Sequence, residues 1–177
     1  MTYRYSRRRI MNLYSFKKAL LPVGLTAAMV ILTVAVSAAA DHASPRDFPD
    51  CFIGTFLVEE GSGTQSLWTF GPGGVMFITS SAQKALDFTD EQGAWKKTGK
   101  REAVGTTLDF SFNADGSLAN IAKVNVDVTF SGRGCAGIDG GLTVSFYAPG
   151  VDPLDPDSEP ENVVSDTFSG RRVQAGD

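Results

Sequence analysis

Two carboxylates on neighbouring predicted strands are the first candidates for acid–base chemistry in this chain. Asp109 and Asp127 each lie on the polar side of a segment in which polar and apolar residues alternate. If both polar sides pointed inward, the carboxyls would interact and one pKa would rise, as general acid–base catalysis requires. We expect instead that both face water. Tyr147 is a third candidate, as an acid or hydrogen-bond donor, although a buried tyrosine with a satisfied hydroxyl is more common.

The residue types give little support to nucleophilic catalysis, phosphate binding or metal binding. The one histidine, His42, adjoins a predicted export cleavage site, and the chain has no Gly-x-Ser-x-Gly motif. Gly71–Gly74 lacks the lysine of a phosphate-binding loop, and the acidic stretch 152–161 lacks the order of a calcium-binding EF-hand. The sequence therefore predicts neither a metal site nor a cofactor.

Aromatic side chains on predicted strands are the strongest indication of a binding site. Ligand pockets are mostly apolar and aromatic, with a few polar groups that fix orientation. The alternative is that these rings only fill the core, because an eight-stranded barrel is just wide enough to be filled by its own side chains. The predicted ligand-binding residues are Phe56, Trp68, Phe77, Trp95, Phe110 and Tyr147.

The first forty residues have the composition of a secretory signal peptide. Six basic residues are followed by an uncharged, mostly apolar stretch at 19–36, and Ala38-x-Ala40 supplies the small residues of a cleavage site. An uncleaved membrane anchor is the alternative, and the arginines at 7–9 leave Sec and twin-arginine export both open. We predict a signal peptide at 1–40 and a secreted or periplasmic domain at 41–177.

The predicted exported part is acidic and contains both cysteines. Residues 41–177 hold 10 basic and 20 acidic residues, a net charge of −10, which disfavours nucleic acid and anionic lipid as partners. In an oxidising compartment Cys51 and Cys135 predict one disulfide, whose long loop would contribute roughly 4 kcal/mol in the chain-entropy model. Two separate buried thiols are the alternative.

Glycine-rich turns divide residues 41–177 into short segments rich in Val, Thr, Phe and Trp, which favour β-strands. Asn113–Gly116 predicts a hairpin turn, 81–92 is the only helix candidate, and 149–161 is expected to be an exposed loop. Successive hairpins predict an all-β antiparallel meander closed into a single barrel, with a β-sandwich as the alternative. The predicted strands are near 52–60, 64–70, 74–80, 93–99, 102–113, 117–131, 141–148 and 163–173.

Gly54-Thr55-Phe56 on the first predicted strand and Arg171-Arg172 on the last resemble the signature of the calycins, the lipocalin-like barrels. That family has Gly-x-Trp on its first strand, with an arginine of the closing strand packed across the ring. Here Phe56 replaces the tryptophan, and no C-terminal helix follows Arg172. The aromatic and glycine-rich pattern is also similar to barrels of the allene oxide cyclase kind. The resemblance implies a bacterial secreted calycin-like barrel.

Three functions are compatible with this pattern. The leading hypothesis is a non-catalytic binder of a small, mostly apolar molecule. The second is a cofactor-free cyclase or isomerase that acts by shape and a few polar groups, since orientation alone lowers a barrier by several kcal/mol. The third is an envelope or interaction protein with a filled barrel, whose loop at 149–161 contacts a partner. Ligand identity and oligomeric state do not follow from the sequence.

Overall fold

Side chains that alternate between two environments define the eight strands of the computed structural model, which describes residues 51–176. Each strand pairs antiparallel with its neighbours in sequence, and β1 pairs with β8 to close the barrel. The predicted all-β meander barrel of eight strands is therefore confirmed. The predicted signal peptide lies outside the described residues. The strands are β1 (Gly54–Glu60), β2 (Gln65–Phe70), β3 (Val75–Ser80), β4 (Glu91–Lys97), β5 (Glu102–Phe112), β6 (Leu118–Ser131), β7 (Gly137–Tyr147) and β8 (Asn162–Arg172).

The hairpin between β5 and β6 forms where the sequence predicts it. The N–H of Gly116 donates to the carbonyl of Asn113 at 2.8 Å, and Gly116 has a φ of 80° that favours glycine. Oδ1 of Asp115 accepts from the N–H of Ser117 at 3.0 Å. This local bonding fixes the register of β5 and β6.

Helix is almost absent from residues 51–176, where it is confined to α1 (Gln83–Leu86) and a 3₁₀ turn at Pro72–Gly74. The helix candidate at 81–92 is thus only one turn long. β7 begins at Gly137, before the predicted start at 141, because Asp139-Gly140-Gly141 is part of the strand rather than a turn. A Cβ on Gly140 would overlap the carbonyl oxygen of Asp127, so glycine there permits close approach of β6 and β7.

Aromatic rings fill one end of the barrel, which we call the closed end. Phe52 stacks on Phe130 with ring centroids 3.9 Å apart, and Phe56 and Phe70 make T-shaped contacts with Phe130 at centroid distances of 5.8 and 5.4 Å. Trp95 completes this cluster and donates its indole N–H to the carbonyl of Gly71 at 3.0 Å. These rings are almost inaccessible to solvent and form the aromatic part of the core.

Arg172, at the end of β8, ties the segment before β1 to the loop before β7 beside that cluster. Its guanidinium lies 4.6 Å from the ring centroid of Phe56 and donates to the carbonyls of Cys51, Ile53 and Cys135. Cys51 and Cys135 form the predicted disulfide. A disulfide of this kind indicates an oxidising, non-cytoplasmic compartment.

Candidate functional site: a cavity at the open end of the barrel

The opposite end of the barrel, the open end, contains a cavity of about 560 Å³. It lies where β1, β5 and β7 finish and where β6 and β8 begin, away from the aromatic cluster. Its size is within the range of small-molecule sites in proteins. The lining residues are Glu60, Ser62, Thr64, Ser80, Ala82, Leu86, Phe88, Glu91, Asp109, Ser111, Phe112, Ala119, Asn120, Ala122, Val124, Leu142, Val144, Phe146, Val164 and Asp166.

One wall of the cavity is apolar. Strands β6 and β7 supply Ala122, Val124, Leu142 and Val144 from their inward sides, and Phe146 extends this wall at the end of β7. The inward residues of β6 become larger along the strand, from Ala122 through three valines to Phe130. Small side chains at the start of β6 therefore leave a cavity at the open end, whereas the large ring of Phe130 fills the corresponding space at the closed end.

The other wall carries two neighbouring carboxyl groups. Gln92 of β4 pairs with Leu108 of β5, and the next residues on the two strands, Glu91 and Asp109, both line the cavity. They are close enough for the charge of Asp109 to contribute to the raised pKa of Glu91. Burial raises the pKa of Glu91 to about 8, against a hydrogen bond that Thr107 donates to its Oε2 at 2.7 Å. Burial also raises the pKa of Asp109 to about 6. At neutral pH one carboxyl is thus mainly protonated and its neighbour mainly ionised.

Two further carboxyls lie toward the mouth. Burial raises the pKa of Glu60, although Ser66 donates a hydrogen bond of 2.7 Å to its Oε1 and opposes that rise. The charge of Asp166 adds to the rise. Asp166 accepts backbone hydrogen bonds from Ser62 and Thr167, which lower its own pKa. The charge that lines the cavity within residues 51–176 is consequently all acidic.

Three buried polar atoms have no hydrogen-bond partner within residues 51–176: Oδ1 of Asp109, Oδ1 of Asn120 and Nε1 of Trp68. Asp109 and Asn120 line the cavity. Asp109 is only 5% exposed, so its unpaired oxygen is held away from bulk water. An unsatisfied buried acceptor is costly, and such a group in a cavity is a candidate for contact with a ligand.

None of the six residues predicted to bind a ligand lies among the cavity-lining residues. Phe56, Trp68 and Trp95 belong to the buried core. Phe77 and Phe110 are on the outer surface, where they are 46% and 47% exposed. The cavity is instead lined mainly by smaller apolar and polar side chains, and its aromatic residues are Phe88, Phe112 and Phe146.

Of the three catalytic candidates, Asp109 lies inside the barrel, whereas Asp127 and Tyr147 lie on the outer side of its wall. The expectation that Asp109 faces water is wrong, because Thr107 and Asp109 are buried and Asp109 and Ser111 line the cavity, so this side of β5 points inward. Asp127 is exposed on the outer side of β6, so the two aspartates do not form a pair. Tyr147 is buried on the outer side of β7, with Nζ of Lys123 5.0 Å from its ring centroid.

Glu60, Glu91 and Asn120 line the cavity but are not among the site residues predicted from the sequence. Glu60 had a detectable signal, because it follows the inward residues Phe56 and Val58 at the same two-residue spacing. Glu91 had none, since it begins a short strand directly after a loop. Asn120 is likewise near the start of β6, before the regular valine alternation.

Fold and cavity together define a disulfide-bonded antiparallel β-barrel with one filled end and one accessible end. No protein-family model matches the chain, and neither the curated proteins nor the solved structures include a significant match. In residues 51–176 no three His, Cys, Asp or Glu side chains are grouped so that they could hold a metal ion. The same residues include no helix of sufficient length and apolar character to cross a membrane.

Proposed function

We propose that the chain is an exported protein that binds a small, mostly apolar molecule at the open end of its barrel. The observation that carries this proposal is the cavity of about 560 Å³ with the apolar wall formed by β6 and β7. The composition of residues 1–40 and the disulfide support export to the periplasm or the medium. Burial of apolar ligand surface against this wall would supply most of the affinity.

A relationship to the calycins is part of this proposal. The closed meander of eight strands supports it, as does the packing of Arg172 on Phe56. Gly54 supports it as well, because a Cβ at that position would overlap Nη1 of Arg172. The glycine and the aromatic residue of the short motif thus have separate physical roles around one guanidinium.

The test of binding is a cavity-filling substitution with a matched surface control. Ala122→Phe places a ring inside the cavity, whereas Ala94→Phe places the same ring on the exposed side of β4. Native mass spectrometry against neutral apolar molecules of graded size should show binding to wild type and Ala94→Phe. Ala122→Phe should bind at least tenfold more weakly. Equal binding by both variants, or no binding to wild type, would reject the proposal.

A cofactor-free cyclase or isomerase is the second candidate. The neighbouring carboxyls of Glu91 and Asp109 favour it, because a protonated and an ionised carboxyl in one cavity provide an acid and a base for the same substrate. This candidate predicts that Glu91→Gln and Asp109→Asn each reduce turnover by at least a hundredfold, while Asp127→Asn leaves it unchanged. A bound molecule recovered chemically unaltered from wild type favours the binder.

A further inference from the structure

The unpaired oxygen of Asp109 indicates what the polar part of a ligand must provide. Oδ1 is buried, lines the cavity and has no donor within residues 51–176. The neighbouring carboxyl of Glu91 in the same cavity already accepts a hydrogen bond from Thr107. A ligand that reaches this wall must therefore donate a hydrogen bond to Asp109 if the cost of burying that oxygen is to be recovered.

The charge around the cavity narrows the class of donor. Among the described residues, the lining includes four acidic side chains, Glu60, Glu91, Asp109 and Asp166, and no lysine, arginine or histidine. A carboxylate or phosphate on a ligand would meet only like charge. A hydroxyl would satisfy Oδ1, but a cation would also compensate the negative charge of Asp109 and of the neighbouring carboxyls, which a neutral donor cannot do.

We propose that the molecule bound in this cavity carries an amine, whose ammonium group pairs with Asp109 opposite Glu91 while its apolar body lies against Val124, Leu142 and Val144. This inference rests on the proposed function, since it names the chemical class of the ligand in the same cavity. The apolar wall and the acidic wall then contact different ends of one amphipathic cation.

The titration of the acidic wall gives the inference a pH signature. The pKa of Asp109 is about 6 and that of Glu91 about 8, so both carboxyls gain charge as the pH rises from 5 to 8.5. Glu60 on β1 and Asp166 on β8 are the other acids that line the cavity. An alkyl ammonium stays protonated across this range, so its affinity should increase with pH. The affinity of a neutral ligand should change little.

The experiment compares three ligands that share one apolar body: 4-phenylbutylamine, 4-phenylbutan-1-ol and 4-phenylbutanoate. Calorimetric titration of the disulfide-bonded protein at pH 7.5 should show the amine binding at least tenfold more tightly than the alcohol, and the carboxylate most weakly. Asp109→Asn should remove most of the difference between amine and alcohol. Asp127→Asn, on the outer side of the next strand, should preserve it.

The outcomes separate the two proposals. If the alcohol or the carboxylate binds as tightly as the amine, the amine inference is overturned and the binding function stands. If none of the three binds, both are overturned. The comparison in wild type does not depend on the folding of any variant. An amine affinity that falls between pH 5 and 8.5 would also overturn the inference.

Discussion

The two ends of the barrel are made by the same eight strands but differ in every property that decides function. The closed end is filled by rings such as Phe52 and Phe130, and the disulfide and Arg172 secure it. The open end holds small side chains on one wall of its cavity and the carboxyls of Glu91 and Asp109 on the other wall. At the closed end Trp95 and Arg172 donate hydrogen bonds to backbone carbonyls, whereas at the open end the buried oxygens of Asp109 and Asn120 have no partner within residues 51–176.

This difference indicates that the closed end mainly stabilises the fold and that the open end mainly provides the cavity. Stability is concentrated where large apolar surfaces are buried and the chain is cross-linked. The open end tolerates space and buried acids, both of which cost stability, because the closed end offsets that cost. Such a distribution is expected of a protein whose cavity serves a purpose other than folding.

Removal of the disulfide should produce the largest effect. In the double variant Cys51→Ala/Cys135→Ala, the unfolded chain regains the freedom of a loop of 84 residues, and the free energy of unfolding should fall by about 4 kcal/mol. Urea denaturation of this variant against oxidised wild type measures the change. Wild type under reducing conditions should show a similar loss. A loss below about 1 kcal/mol would contradict the idea that the closed end is the main source of stability.

Truncation of an aromatic residue should discriminate between the ends. Phe130→Ala removes a fully buried ring that contacts Phe52, Phe56 and Phe70, and we expect a loss of about 3–4 kcal/mol. Phe146→Ala at the cavity wall should cost about 1 kcal/mol, because that side chain is only partly buried and already borders open space. Equal losses in thermal or urea denaturation would show that the two ends are equally packed.

Two glycines with positive φ offer a comparison that involves little side-chain burial. Gly54 has a φ of 147°, and a Cβ there would also displace Arg172 from Phe56. Gly54→Ala should therefore cost about 3 kcal/mol, whereas Gly116→Ala, with open space around the new methyl, should cost about 1 kcal/mol. Urea denaturation measures both. If Gly116→Ala proved the more damaging, Arg172 would not be the feature that requires glycine at Gly54.

The sequence predicts the fold better than the cavity. Alternation of polar and apolar residues is a local property of a strand, whereas the side of the strand that points into the barrel depends on its neighbours. The alternation of β5 is clear, yet its apolar side, with Leu108 and Phe110, faces out, while Thr107 and Asp109 face in. Only the register with β6, whose valines point inward, decides this orientation. The prediction of a turn at Gly140 was wrong for a related reason. Glycine is favoured both in turns and where two strands approach closely, and the residue type alone does not distinguish these two cases.

The acids of the open end should make stability depend on pH in an unusual direction. The pKa values of Glu91 and Asp109 in the folded protein, about 8 and about 6, exceed their ordinary values of 4.5 and 3.8. The folded state therefore binds protons more tightly than the unfolded state. The resulting stabilisation is complete below about pH 4 and is lost as the pH rises through 6 and then 8.

Between pH 5 and pH 8.5 we accordingly expect the free energy of unfolding to decrease by at least about 2 kcal/mol in urea denaturation. Glu91→Gln should remove the part of this decrease above pH 6, since glutamine keeps the acceptor for Thr107 and does not ionise. Glu59→Gln, on the exposed side of β1, should retain the wild-type profile. A free energy of unfolding that rises over this range would mean that the carboxyls are ionised and paired. The open end would then contribute to stability as the closed end does.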